Sequence, residues 1–172
     1  IFDSLNWLPS MEVAIDEALK QNKFVEGTIC YTGEITDTSR NYTLKYYVDM
    51  AKELQKMGCH SVAIKDMSGL LKPYSAKVLV SGLKDALDIP VHLHTHDTTG
   101  NQVATTLMAA EAGVDIADLA ISSMSSLTSQ PSMNAVVAAL EGQERDTGLS
   151  MMDLQKLTDY WADVRERYVD FE

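Results

Sequence analysis

Short runs of apolar and β-branched residues alternate with longer amphipathic segments along most of this 172-residue sequence. Such runs favour β-strands, and the strands predicted here are Ile1–Leu5, Val25–Tyr31, Ser61–Ile64, Pro90–Thr95 and Ile116–Ser122. Strands separated by amphipathic segments are typical of βαβ units, in which a helix connects two parallel strands. The pattern therefore predicts an α/β protein built on a parallel sheet.

Three segments between these strands carry an apolar residue at every third or fourth position, and they cover residues 44–54, 76–87 and 103–112. Gly58 and Gly113 follow the first and third segments, and Pro73 precedes the second. Glycine is favoured just beyond a helix end and proline in a first turn, so we predict three helices. Ser150–Asp153 has the pattern of a capping box and predicts a last helix with no strand after it.

Five βα-type strands are too few to close an eight-stranded barrel. An open doubly wound sheet is the alternative, but no glycine-rich phosphate-binding pattern follows the first strand. The sequence also starts without a methionine and without the basic segment of a signal peptide. We therefore expect a partial (β/α)8 TIM barrel, with residues 1–149 forming strands four to eight and residues 150–172 a helix that leads out of the barrel.

Composition narrows the classes of function. Hydrophobic residues make up 45% of the chain, no apolar stretch is long enough for a membrane span, and the net charge is −11. That charge argues against a nucleic-acid partner, which would require clustered lysine and arginine. Cys30 and Cys59 lack metal-type spacing, so we expect buried thiols in a reducing, cytoplasmic compartment.

Three histidines alternate with other residues in the predicted strand that ends near Thr95. Because side chains in a strand alternate between faces, His92, His94 and His96 should point the same way. Two imidazoles two residues apart can bind one metal ion, although a hydrogen-bonded structural cluster would have the same spacing. His92 lies deeper in the strand, which favours a core or outer-shell role for it.

Lys65 closes an otherwise apolar strand, where an unpaired lysine is unusual. The carboxyl ends of barrel strands converge on one site, so Lys65 and the histidine pair should meet at one rim. A neutral lysine amine there could add carbon dioxide and become an anionic, oxygen-bearing metal ligand. The alternative is a surface lysine, or one paired with Asp66. The polar loop Ser122–Ser132 could hold a substrate, but a loop leading into a helix explains it equally well.

Four motifs resemble the carboxyltransferase domain of the biotin-dependent family. They are Phe2–Asn6, Ile64–Pro73, His92–Gly100 and Ala120–Ser125. Within that family, His94–Thr98, Thr128–Ser132 and the end of the chain are most similar to the members that carboxylate pyruvate. The oxaloacetate decarboxylase alpha subunit is the alternative, and aldolase- or synthase-type barrels that act on acyl-coenzyme A are a more distant one.

The resemblance implies a divalent metal, zinc or manganese, bound by a carbamylated Lys65 together with His94 and His96. It also implies that Lys65 is a catalytic residue. It implies transfer of carbon dioxide from carboxybiotin to pyruvate to form oxaloacetate, with biotin on a carrier domain outside this chain. It also implies a homo-oligomer, a carboxyltransferase dimer within a tetramer. The family's aspartate ligand, substrate arginine and proton-shuttling threonine have no counterpart here, so a catalytically inactive fragment is a further alternative.

Overall fold

The computed structural model describes all residues from Ile1 to Glu172. Helices and strands alternate along most of the chain, and it ends with two consecutive helices. The helices and strands are α1 Leu8–Lys20, β1 Glu26–Cys30, α2 Leu44–Lys56, β2 Ser61–Asp66, α3 Pro73–Ala86, β3 Val91–Thr95, α4 Gln102–Glu111, β4 Ile116–Ala117, α5 Met133–Leu140 and α6 Met151–Glu166. None of the helices combines the length and the apolar composition needed to cross a bilayer.

The four strands form a single parallel sheet in the order β1-β2-β3-β4. A helix connects each strand to the next, as the sequence pattern predicts. In the register of the sheet, Lys65 on β2 lies between Cys30 on β1 and His94 on β3. This arrangement confirms the α/β class and fits part of a (β/α)8 barrel.

The two outermost predicted strands are much shorter than expected. The Asp3 carboxylate accepts the backbone N–H groups of Leu5 and Trp7, which turns the chain, so only Phe2 bridges to Thr28. At the other edge, β4 ends just before Asp118, a charged residue that interrupts the apolar run. Helix α1, which the sequence analysis did not assign, begins at Leu8 and buries few side chains.

The hydrophobic core lies between one face of the sheet and the helices. Ile29, Ile64 and Leu93 point to this side from neighbouring strands, and Leu79 and Leu83 of α3 are fully buried against them. Each such side chain contributes about 1.5–3 kcal/mol through burial. The opposite face of the sheet carries most of the polar and ionisable side chains, and it therefore holds the candidate site.

The two cysteines and the start of the last helix agree with the sequence pattern. Cys30 and Cys59 are both buried free thiols, as expected for small apolar residues. Ser150 caps α6 by accepting the backbone N–H of Asp153. Leu154 is the one buried residue of α6, so this helix covers little of the core.

Candidate metal centre

Lys65 and His94 lie side by side at the carboxyl ends of β2 and β3. They are register partners on neighbouring strands. Because side chains alternate along each strand, both point to the polar face of the sheet. His96 follows one residue after the end of β3. The backbones of the three predicted ligand residues thus lie at the same rim of the sheet.

The two histidines turn the same ring nitrogen toward each other. The Nε2 atoms of His94 and His96 are 3.1 Å apart, and the ring planes are inclined by 73°. His94 Nδ1 lies 2.7 Å from Asp118 Oδ2, and His96 Nδ1 lies 2.6 Å from the carbonyl oxygen of Thr128. Both partners only accept hydrogen bonds, so each Nδ1 carries a hydrogen, and a ring with this tautomer has its lone pair on Nε2.

Two lone pairs at this distance repel each other unless a positive charge lies between them. Nitrogen atoms 3.1 Å apart can both reach a single ion at the usual zinc–nitrogen distance of about 2.0–2.1 Å. Metal-bound histidines also characteristically donate their second N–H to a carboxylate or a carbonyl, as both do here. The imidazole pair therefore fits a divalent metal ion.

The pair alone does not make a complete metal site. No group of three or more His, Cys, Asp or Glu side chains is arranged to hold an ion. The Nζ atom of Lys65 lies 4.0 Å from the centre of the Phe2 ring, a cation–π contact. No hydrogen bond joins Lys65 to either histidine. Lys65 is therefore a neighbour of the pair in the sheet, and its amine contacts an aromatic ring.

An ion pair between Lys65 and Asp66, the alternative named in the sequence analysis, is not present. The fully buried carboxylate of Asp66 accepts the backbone N–H groups of Ser68, Leu70 and Leu71. Asp66 therefore fixes the loop after β2 and leaves the amine of Lys65 free of a carboxylate partner.

His92 lies below the pair and joins two carboxylates. Its Nδ1 is 3.1 Å from both oxygens of Glu26, and its Nε2 is 2.9 Å from Asp118 Oδ1. The second contact is close but poorly aligned for a hydrogen bond. It acts through charge, because Coulomb attraction depends mainly on distance.

The pKa values of this group follow from these contacts. The hydrogen bond to Glu26 raises the pKa of His92, burial opposes the shift, and Asp118 adds to it. The same hydrogen bond lowers the pKa of Glu26. Burial raises the pKa of Asp118, but the contacts with His94 and His92 outweigh it, and the net shift is downward.

The sequence analysis missed Glu26, Asp118 and the carbonyl of Thr128. The sequence does contain a sign of the role of Glu26, because this charged residue starts β1, and strand alternation puts it on one face with every second residue after it. A weaker one existed for Asp118, a charge in the middle of a predicted apolar strand. Thr128 acts through its backbone, so its residue type carried no signal. The polar loop Ser122–Ser132 therefore contributes to the centre by a main-chain contact.

Comparison with known proteins gives a consistent family. A family model described as HMGL-like matches residues 10–161. The chain is 52% identical to pyruvate carboxylase of Bacillus subtilis over 173 residues and 46% identical to the mitochondrial pyruvate carboxylase of Homo sapiens over 174 residues. In both comparisons all of this chain is covered, but it spans only 15% of the relative's length.

Solved structures agree with this result. The carboxyl transferase domain of Rhizobium etli pyruvate carboxylase, determined with pyruvate, superposes with a TM-score of 0.97 at 49% identity. The same domain determined with pyruvate and biocytin gives the same values. Each comparison covers 99% of this chain and 29% of the other chain.

Proposed function

Because the chain belongs to the HMGL-like family, we propose that it supplies the metal-binding part of a biotin-dependent carboxyltransferase that converts pyruvate into oxaloacetate. The observation that carries this proposal is the convergence of the Nε2 atoms of His94 and His96, 3.1 Å apart, with each Nδ1 fixed by an acceptor. The similarity to pyruvate carboxylases supports the substrate class. Residues 1–149 would form strands four to eight of the barrel, and residues 150–172 the helix leading out of it.

His94 and His96 would hold zinc or manganese, with Lys65 as third ligand after its amine has added carbon dioxide. Imidazole nitrogen and carbamate oxygen suit either metal. When bound, a divalent cation supplies positive charge that stabilises the enolate form of pyruvate. Lys65 has to leave the Phe2 ring to act as a ligand, and its position beside His94 in the register makes this a matter of side-chain rotation.

The protein groups around the pair orient it. Asp118 and the Thr128 carbonyl hold the two rings with their Nε2 atoms converging, and Asp66 fixes the loop after β2. In the proposed reaction the methyl group of pyruvate loses a proton and its carbon attacks carbon dioxide. The carboxyl–nitrogen bond of carboxybiotin breaks, and the biotin nitrogen takes up a proton. No residue of this chain is assigned to the transfer of these protons.

Several partners follow from the same proposal. A biotin carrier domain would deliver the carboxyl group, the protein would be a homo-oligomer, and its location would be cytoplasmic. The oxaloacetate decarboxylase alpha subunit is the alternative within the family, and the named relatives favour the pyruvate-carboxylating branch. An inactive fragment is the other alternative, and the experiment below separates it from an active centre.

The test is His94→Ala in the full-length protein, with His60→Ala as matched control. His60 precedes β2, and its Nδ1 accepts only the backbone N–H of Val25. We expect His94→Ala to lower pyruvate carboxylation about 100-fold or more, because even outer-shell changes at metal sites lower activity 10–100-fold. Bound metal should be lost, while carboxylation of biotin itself should continue. Equal loss of both half-reactions, or full activity without His94, would contradict the proposal.

A further inference from the structure

We infer that Glu26 and His92 are positioning residues that hold Asp118, and through it His94, in the geometry the metal centre requires. This inference rests on the proposed metal site. The three groups lie on the polar face of the sheet, from the start of β1 to the residue after β4. These groups form a row from the start of β1 to His94, one of the two candidate imidazole ligands.

The first step is the contact between Glu26 and His92. Both carboxylate oxygens lie 3.1 Å from Nδ1, so either oxygen can accept the hydrogen of that ring nitrogen. The hydroxyl of Ser61 also donates to Oε2, at 2.7 Å, and so helps to hold the carboxylate in place. The His92 side chain is only 14% exposed, which restricts its alternative orientations.

The second step is the shared carboxylate of Asp118. Its Oδ1 lies 2.9 Å from His92 Nε2, and its Oδ2 lies 2.7 Å from His94 Nδ1. The Asp118 side chain is 43% exposed and follows a strand of only two residues. Without His92 on one side, such a carboxylate would be free to rotate, and the ring of His94 would lose its fixed acceptor.

Ionisable side chains at these positions do not by themselves stabilise the fold. Removing charged groups from water is unfavourable, and apolar residues of similar size often stabilise a fold as well or better. A row of alternating carboxylates and imidazoles that ends on a ligand has a clear use at a metal centre. Outer-shell partners fix the ring orientation and raise the basicity of the ligand nitrogen.

The experiment uses the full-length protein and Co²⁺ as probe, because cobalt accepts imidazole and oxygen ligands and has a visible spectrum that reports their geometry. Glu26→Gln keeps the size of the side chain and removes its charge. We expect Co²⁺ affinity to fall about tenfold, the lower end of the outer-shell range, with an altered visible spectrum. Restoring the carboxylate as Glu26→Asp should recover part of the affinity.

Glu34→Gln is the matched control. Like Glu26, Glu34 accepts a hydrogen bond from a serine hydroxyl, that of Ser75 at 2.6 Å, but it has no contact with a histidine. Its substitution should leave Co²⁺ affinity and spectrum unchanged. A mutant cycle gives the second test: in an Asp118→Ala background, Glu26→Gln should have less than about a twofold effect.

The outcomes separate this inference from the proposed function. If the wild type binds Co²⁺ and Glu26→Gln matches it in affinity and spectrum, the positioning role is wrong and the metal centre stands. An equal loss in Glu34→Gln would mean that the effect comes from general destabilisation, and it would also overturn the inference. If the wild type and His94→Ala bind Co²⁺ equally weakly, the metal centre itself is wrong, and the inference falls with it.

Discussion

Replacing Gln102 by alanine should loosen the two loops that surround the histidine pair. The Gln102 side chain is fully buried at the start of α4. Its Oε1 accepts the hydroxyl of Thr95 at 2.9 Å, and its Nε2 donates to the carbonyl of Gly69 at 3.1 Å and to that of Leu71 at 3.3 Å. One amide therefore joins the end of β3 to the loop after β2.

The expected loss can be worked out from these contacts. The two shorter hydrogen bonds contribute about 1 kcal/mol each. The Gly69 and Leu71 carbonyls also accept the hydroxyls of Thr99 and Thr105, so the substitution leaves neither without a donor. Truncating a buried side chain of this size adds a cavity, and totals of about 2–5 kcal/mol are usual. We expect about 3 kcal/mol, which corresponds to about 100-fold more frequent local opening.

Hydrogen exchange, measured by mass spectrometry on the full-length protein, is the assay, because it reports local opening separately from global unfolding. Peptides covering residues 66–71 and 95–102 should exchange about 100-fold faster in Gln102→Ala. Gln155→Ala makes the same chemical change at an exposed position of α6, where the amide contacts only Asp159, and should have almost no effect. An acceleration below about threefold in Gln102→Ala would refute the reasoning.

Gln102→Glu tests whether the hydrogen bonds or the packing dominate. The new carboxylate keeps the shape but faces the carbonyls of Gly69 and Leu71 with no donor. Burial should raise the pKa of this carboxyl, so the folded state binds its proton more tightly than the unfolded state. Stability should therefore fall as the pH rises above the unfolded pKa of about 4.3. A pH-independent effect would mean that packing alone matters.

Two further predictions concern acid stability and a close backbone contact. Burial raises the pKa of Glu34, but hydrogen bonds from Ser75 and a backbone N–H, with a nearby lysine, outweigh it and lower the pKa from 4.5 to about 2. The lowered pKa stabilises the fold by at most about 3 kcal/mol, fully above the unfolded pKa of Glu34, and this stabilisation is lost as the pH falls toward 2. In Glu34→Gln, the stability should therefore depend less on pH between those two values. An unchanged acid-unfolding curve would contradict this prediction. Gly69 has φ +65°, and a Cβ there would lie 2.8 Å from the carbonyl oxygen of His96, so Gly69→Ala should weaken Co²⁺ binding. Gly148→Ala, with φ +67° and open space, should leave it unchanged, and equal effects of the two would refute the clash.

The central strands were predictable because their residues have one structural role. β2 and β3 begin within one residue of the predicted starts, since apolar runs flanked by glycine or proline favour buried parallel strands. Helix α1 was missed because only Met11 and Ile15 are buried on it, too few to give a helical period. The edge strands were overestimated because Asp3 and Asp118 use their carboxylates for local and site contacts, which an apolar pattern does not reveal.

The site was predicted in part for a reason that the structure does not support. Strand alternation places His92 and His94 on one face, yet these two share the carboxylate of Asp118 and do not converge. The converging pair is His94 with His96, and β3 has already ended before His96. The carbonyl of Thr128, from a loop 32 residues further along the chain, sets the orientation of His96. No local pattern contains that contact.

Lys65 shows how magnitudes decide between two states of one side chain. The contact of its amine with the Phe2 ring contributes about 0.5–2 kcal/mol and favours the side-chain position against that ring. Structural zinc sites with a full set of four ligands contribute about 10–16 kcal/mol of apparent binding energy, or roughly 3–4 kcal/mol for each ligand, which is more than this contact. Binding as a third ligand would therefore outweigh the loss of the contact with Phe2. The position of the backbone, with Lys65 paired to His94 in the sheet, consequently matters more for the proposed centre than where the amine lies without metal.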